Sequence, residues 1–170
     1  MSNLKEKFKN ITTFIFDVDG VLTDGSVVLM PDGEQLRTMN VKDGYALQLA
    51  VKKGYKICII TGGNSHAVKD RLEKLGISDI YLKSHDKLDV FETYFYSNHL
   101  KHEEILYMGD DLPDYDVMKK VGIATCPADS AEEIKSISDY ISPLKGGDGC
   151  VRDVVEQVMK IQDKWEISGW

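Results

Sequence analysis

The chain has 170 residues and a formal net charge of -7, with 28 Asp and Glu against 21 Lys and Arg. That length suits one domain, residues 1–170, able to bury roughly two thirds of its unfolded surface without disulfide or metal staples. The acidic balance excludes a surface built to displace counterions from nucleic acid or to dock on an anionic membrane.

No apolar stretch has the length of a membrane span, and the polar start, residues 1–10, lacks the apolar segment of a signal peptide. Three cysteines without partners at metal-ligand spacing read as buried or incidental thiols, so the expected compartment is the cytoplasm.

In chain order, the first apolar run, 13–16, reads as a strand that ends in Asp17-Val18-Asp19-Gly20, followed by Val21-Leu22-Thr23-Asp24-Gly25. Two carboxylates set two residues apart at a strand end suit a metal and a nucleophile, although the same pattern also occurs as a solvated acidic turn. The segments 26–30 and 34–40 flank Pro31-Asp32-Gly33 and predict a hairpin with a tight turn, a flap beside the site. A helix at 44–53 ends at Gly54, and a strand at 56–60 ends in Thr61-Gly62-Gly63. Asn64 or Ser65 can cap the next helix, 65–75, which stops at Gly76.

A strand at 79–82 precedes a helix at 87–99 that opens on Lys87, and a strand at 105–108 runs into Gly109-Asp110-Asp111-Leu112-Pro113-Asp114. Helices at 113–121 and 131–137, strands at 122–125 and 140–141, and a last helix from 151 to about 165 complete the pattern. Strands separated by helices predict an α/β fold, a doubly wound, Rossmann-like parallel sheet with helices on both faces. Neither the stretch from Asp19 to Thr61 nor that from Thr61 to Lys87 is long enough for a separate cap domain. A capless enzyme with a β-hairpin flap is expected, and its open site needs cover that another subunit would most simply supply.

The order Asp17-x-Asp19, then Thr61, then Lys87, then Gly109-Asp110-Asp111-x-x-Asp114 resembles the haloacid dehalogenase superfamily of phosphotransferases. Asp17 to Gly25, Asn40-Val41-Lys42-Asp43-Gly44-Tyr45 and Gly146-Gly147-Asp148-Gly149-Cys150-Val151-Arg152 are similar to its 3-deoxy-D-manno-octulosonate 8-phosphate phosphatases and related sugar-acid phosphatases. A hard cation that prefers oxygen ligands, magnesium, is expected, held by the Asp17 carboxylate, the Asp19 carbonyl and Asp110, with Asp111 and Asp114 in support. The resemblance implies that Asp17 attacks phosphorus to form an aspartyl phosphate and that Asp19 serves as acid and then base. It also implies that Thr61 donates to a phosphoryl oxygen beside Gly62, and that Lys87 supplies positive charge and holds Asp17 ionised. On spacing alone, Lys87 would read as an ordinary surface lysine.

The implied partner is a small-molecule sugar-acid phosphate, and the implied assembly a homotetramer whose flaps and tails close a neighbour's site. After Thr61, many similar enzymes carry Thr-Gly-Arg or Ser-Gly-Arg, and relatives acting on nine-carbon sugar acids carry Thr-Gly-Glu; here the third residue is Gly63, which leaves the sugar length open. Arg37, Lys42, Lys69, Arg71 and Arg152 are candidate binders of the sugar carboxylate. Gly146, Gly147 and Gly149 suggest a flexible segment that lets Arg152 act as a latch, the alternative being a surface turn. His66, His85, His99 and His102 have no metal or triad spacing, and Tyr94-Phe95-Tyr96, Trp165 and Trp170 read as core or interface packing. The rival readings are a phospho-receiver domain, which has its acidic pair before its phospho-acceptor rather than after it, and a catalytically retired binding subunit.

Overall fold

The computed structural model describes residues 2–166, so the expectation for Trp170 lies outside the described residues. Strands β1 (Thr13–Phe16), β4 (Lys56–Ile60), β5 (Asp79–Tyr81), β6 (Ile105–Met108), β7 (Ile123–Cys126) and β8 (Tyr140–Ile141) form one sheet, while β2 (Val28–Leu29) and β3 (Gln35–Leu36) form a separate hairpin. Seven helices accompany them among the described residues: α1 (Ser2–Lys9), α2 (Val41–Lys52), α3 (His66–Lys74), α4 (Lys87–Ser97), α5 (Tyr115–Met118), α6 (Glu132–Ile137) and α7 (Cys150–Ile161).

The period of two in the strands builds two cores. Phe14, Phe16, Ile57, Ile59, Leu106 and Met108 face the layer that includes α2, α3 and α7. Ile15, Cys58, Ile60, Ile105 and Tyr107 face Phe91 and Tyr94 of α4, Val117 of α5 and Ile134 of α6. With both faces covered, the four central strands β1, β4, β6 and β7 are buried along almost their whole length, as a parallel sheet requires. None of the described helices is long and apolar enough to cross a membrane.

Strand order is β5-β4-β1-β6-β7-β8, all neighbours parallel. The chain builds outward from β1 through β4 to β5, then crosses back to lay β6 on the other side of β1. The reversal falls between β1 and β6, where diverging connections leave a crevice beyond the strand ends. Asp17 follows β1 directly, and Asp110 lies two residues beyond β6.

Local chemistry sets several boundaries. Asn40 caps α2 by accepting from Lys42 N at 2.8 Å, which starts that helix earlier than the expected 44. Ser65, rather than Asn64, caps α3. The helix expected over 113–121 is a short 3-10 turn, Leu112–Asp114, followed by α5, because the chain must return to β7 at Gly122, whose N–H donates to His102 O at 2.7 Å. α1 is an addition to the expected elements: its sequence is largely polar, yet Phe8 is fully buried and Leu4 packs on the same core. The hairpin flap has two paired positions, Val28 with Leu36 and Leu29 with Gln35, and all four residues are exposed. The insertion between β1 and α2 holds no cap domain.

The glycine-rich segment is packed, which corrects the expectation of a loose latch. Gly146 N donates to Asp129 Oδ1 at 3.0 Å, Gly147 N donates to Val21 O at 3.0 Å, and a β-carbon on Gly146 would collide with the carbonyl of Gly20. The glycines serve close approach to the turn after β1. Asp43, buried in the first turn of α2, secures the other side by accepting from Arg152 N at 2.7 Å at the start of α7.

The second carboxylate oxygen of Asp43 has no hydrogen-bond partner among the described residues. Burial pushes this acid up to about 6, partly offset by the backbone amides of Arg152 and Gly149. A folded value above the unfolded value of about 3.9 means stability is fully present below that lower value and is lost as pH rises through about 6. Asp43→Asn should therefore flatten the loss of stability between about pH 4 and pH 6, by at most about 3 kcal/mol. Urea melts of wild type and variant across that window measure the difference.

Candidate active site

The site assembles at the β1–β6 switch point. Asp17 N donates to Met108 O at 3.1 Å, which ties the end of β1 to β6, and the Asp17 carboxylate accepts from Val18 N at 2.6 Å. Gly20 adopts a φ of 83°, and a β-carbon there would strike the Asp110 carboxylate, so glycine admits the second acid to the first. Lys87, the first residue of α4, is placed by the Asp86 cap, whose carboxylate accepts from Asp89 N at 3.1 Å. Its ammonium lies 2.6 Å from Asp17 Oδ2 and 2.7 Å from Asp114 Oδ1.

Asp114 is the most fully engaged of the acids. Besides Lys87, it accepts from the Tyr107 hydroxyl at 2.6 Å and from Asp110 N at 3.1 Å, and it is wholly buried. Asp111 is peripheral, capping the 3-10 turn by accepting from Leu112 N at 2.8 Å. Thr61 is buried at the end of β4, its hydroxyl accepting from Gly63 N at 3.1 Å. These residues line a cavity of about 480 Å³ that also includes Gly62, Ser84 and His85.

Asp17, Asp110 and Asp114 each place a carboxylate oxygen within 4.8 Å of the others. Burial and the neighbouring Asp114 push Asp17 up to about 7, with Lys87 pulling the other way. Asp110 is likewise raised to about 7 by burial and by Asp17 and Asp114. Burial disfavours charge on Lys87, but the two acids it bridges raise its affinity for a proton overall. Three acids facing one lysine leave surplus negative charge in a confined space. That donor set fits a hard divalent cation, with Asp17 and Asp110 available as oxygen ligands and Asp114 already committed to its own partners.

Asp19 lies in the same cavity, with both carboxylate oxygens paired to Arg37: Nε donates to Oδ1 at 2.6 Å and Nη2 to Oδ2 at 2.9 Å. That bond raises the affinity of Arg37 for its proton. Arg37, expected as a substrate binder, thus reaches the site but is engaged by Asp19. Lys42 and Arg152 line a separate cavity of about 490 Å³ with Lys160 and Glu156. Arg152 pairs with Glu156 at 2.9 Å, and its guanidinium lies over the rings of Tyr45 and Trp165 at 5.7 and 5.3 Å. Lys69 lies 3.7 Å from Glu73 along α3, and Arg71 lines a further hollow with Tyr45 and Lys74.

Sequence reasoning gave no role to Tyr107, Ser84 or His85. A tyrosine in an otherwise aliphatic strand is the one available signal, since a buried hydroxyl needs an acceptor, here Asp114. Of the other aromatics singled out, Tyr94 is core and Trp165 packs on the core, whereas Tyr96 is 70% exposed. His102 stacks on Phe95 at 4.3 Å.

A doubly wound sheet with an acidic cluster, a threonine and a lysine at its switch point defines a haloacid dehalogenase-like hydrolase, and the model of that family matches residues 74–152. The 3-deoxy-D-manno-octulosonate 8-phosphate phosphatase KdsC of Escherichia coli K12 is 37% identical over 158 residues, 93% of this chain and 84% of the relative. The Moraxella catarrhalis phosphatase of the same name, solved with magnesium, phosphate and KDO, superposes at a TM-score of 0.92 with 34% identity over 96% of this chain and 94% of that one. A cobalt-bound form of the Haemophilus influenzae enzyme gives 0.88 with 27% identity over 92% of each chain. The chain is a phosphoric monoester hydrolase and belongs to the 3-deoxy-D-manno-octulosonate 8-phosphate phosphatase family. The phospho-receiver reading is thereby overturned.

If the acidic cluster binds magnesium, a hundredfold excess over the dissociation constant should stabilise the fold by about 2.7 kcal/mol. Thermal melts with and without magnesium should show an upward shift for wild type and a much smaller one for Asp110→Asn.

Proposed function

We propose that the chain hydrolyses 3-deoxy-D-manno-octulosonate 8-phosphate in a magnesium-dependent reaction that passes through an aspartyl phosphate on Asp17. The carrying observation is the buried Asp17 carboxylate, gripped by Val18 N and Lys87 at the mouth of the crevice between β1 and β6. The names of the relatives support the substrate, and the magnesium in the Moraxella catarrhalis structure supports the cation.

In this reading an Asp17 oxygen attacks phosphorus in line while the sugar oxygen leaves opposite it, so one difficult displacement becomes two easier ones. The Asp19 carboxyl group gives the leaving oxygen its proton. In the second step Asp19 takes a proton from the water that attacks phosphorus, restoring Asp17 and releasing phosphate. Thr61 and the Gly62 amide donate to the phosphoryl oxygens, and Lys87 offsets charge that builds on them. Magnesium, held by Asp17, Asp110 and the Asp19 carbonyl, would neutralise the phosphoryl group and the surplus acids.

The open cavity needs cover, and a homotetramer in which hairpins close neighbouring sites supplies it. The exposed apolar hairpin residues support this: Val28 is 62% and Leu29 73% exposed, and nearby Val41 is 73% exposed. Three buried free thiols, Cys58, Cys126 and Cys150, support a cytoplasmic location.

Asp17→Asn should lower kcat by at least about 10³-fold while the variant still folds, because the amide keeps the volume and loses the nucleophile while Lys87 keeps its pair with Asp114. Retention of substantial turnover would overturn the covalent route. Light scattering should give a tetramer at assay concentration, and a fully active monomer would remove the shared-site element.

A further inference from the structure

We infer that a second cavity beside the acidic cluster is the subsite for the hydroxylated carbon chain of the leaving group, with Asn64 and His66 as its specificity-determining side chains, and that Arg37 does not bind the substrate's carboxylate. The inference takes the place of the phosphate, at Asp17, from the function proposed above. The character of the subsite rests on geometry.

The second cavity has a volume of about 540 Å³, within the range of small-molecule sites. It shares Gly62 and Gly63 with the cavity around Asp17, so the two adjoin across a neck without side chains. Backbone bonds fix that neck: Gly63 N donates to Thr61 Oγ1 at 3.1 Å, and Gly63 O accepts from Lys83 N at 3.0 Å. A β-carbon on Gly63 would stand 3.4 Å from Arg37 Nη2, Asp19 Oδ2 and Thr61 Oγ1, so glycine keeps the neck from narrowing. An ester whose phosphate sits at Asp17 can extend past these glycines into the second cavity.

The neck runs into the start of α3. Ser65 caps that helix by accepting from Val68 N at 3.4 Å, which sets Asn64 just before the cap and His66 on the first helical residue. Both line the cavity, both are exposed, and neither side chain has a hydrogen-bond partner among the described residues. The Asn64 amide donates and accepts, as does an imidazole in its neutral form, and a hydroxyl, itself donor and acceptor, can answer both functions. A carboxylate only accepts and would leave the acceptors unanswered.

Charge on the cavity wall points the same way. The Arg37 side chain is 6% exposed, and Nε and Nη2 donate to the two oxygens of Asp19. Nη1 donates to Gln35 O at 2.9 Å and Nη2 also to Gln35 Oε1 at 3.4 Å, so little of the guanidinium is left for a ligand. Its charge is balanced by Asp19, no lysine lines the cavity, and Glu34 adds a carboxylate to the wall. A substrate carboxylate placed here would meet a paired cation and a like charge, whereas a hydroxylated chain meets no such repulsion. In an octulosonate 8-phosphate the atoms next to the ester are hydroxylated carbons and the carboxylate lies at the opposite end, so the subsite nearest the phosphate is the one that receives hydroxyls.

Steady-state kinetics on three esters test the assignment: the sugar-acid phosphate, a neutral sugar phosphate of equal carbon number with a hydroxymethyl group in place of the carboxylate, and p-nitrophenyl phosphate, which has no hydroxyl beyond the ester. Asn64→Ala and His66→Ala should each lower kcat/KM about tenfold on both sugar esters and by at most about twofold on p-nitrophenyl phosphate. His66→Gln keeps a donor and an acceptor and should recover most of the loss, which a merely structural role would not give. Arg37→Lys should keep the ratio of kcat/KM between the two sugar esters within about twofold of wild type, whatever it does to the rates themselves. A loss confined to the acid ester, or a larger change of that ratio in Arg37→Lys, would mark a carboxylate subsite and overturn the inference. Equal losses on all three esters, or none on the sugar esters, would also overturn it. A wild type inactive on both sugar esters overturns the substrate proposed above together with the subsite, whereas an active wild type with unselective variants overturns the subsite alone.

Discussion

The ammonium of Lys87, shared between Asp17 and Asp114, is the interaction on which the rest of the structure depends. Three carboxylates gathered in a buried crevice repel one another, and removing one side of a buried ion pair costs about 3–5 kcal/mol. The lysine can bridge the two acids only because α4 begins beside the end of β1, and Asp114 can meet it only because the chain after β6 turns back through a 3-10 turn. Tyr107 and the Asp110 amide finish the hydrogen bonding of Asp114, so that acid serves as a fixed post for the other two. Among the described residues the remaining negative charge has no partner of opposite sign in the cluster. A divalent cation would meet that deficit, which links the electrostatics of the fold to the proposed chemistry.

Topology supplies the convergence. Because the sheet reverses direction between β1 and β6, the acids that follow these strands face one another, while β4 delivers Thr61 from the other side of β1. The glycine-rich loop before α7 presses on the turn after β1 through contacts to Gly20, Val21 and Thr23. Asp43 and Asn40 anchor that loop from the start of α2, Asn40 Nδ2 donating to Gly147 O at 3.2 Å. The turn after β1 is therefore clamped between the first and last thirds of the chain, a rigidity suited to the role proposed for it.

The sheet and most helices are legible in the sequence because burial on two faces writes itself as apolar strands ended by glycine and acid, and that pattern survives without knowledge of contacts. Asp17, Asp110, Thr61 and Lys87 are legible as strand-end and helix-start residues, although the family resemblance, not the spacing, brings Lys87 among them. What a side chain touches is another matter. Arg37 reads as a candidate binder of the substrate carboxylate in the sequence and is held by Asp19; Arg152 reads as a site residue and lies across Tyr45 and Trp165. Gly146 and Gly147 read as flexibility, whereas close approach of backbone to backbone is what requires them. α1 escapes notice because two contacts, Phe8 and Leu4, suffice to dock an otherwise polar helix.

The acidic cluster and the flap are held by different means. Asp17, Lys87 and Asp114 are buried and mutually bonded, so nothing at the centre of the cluster can shift without exposing an unpaired charge. The hairpin has the opposite character: its four paired residues are exposed and its ladder is two positions long. Burial and mutual bonding thus fix the acids, whereas the hairpin presents Val28 and Leu29 as apolar surface that only a covering partner would bury.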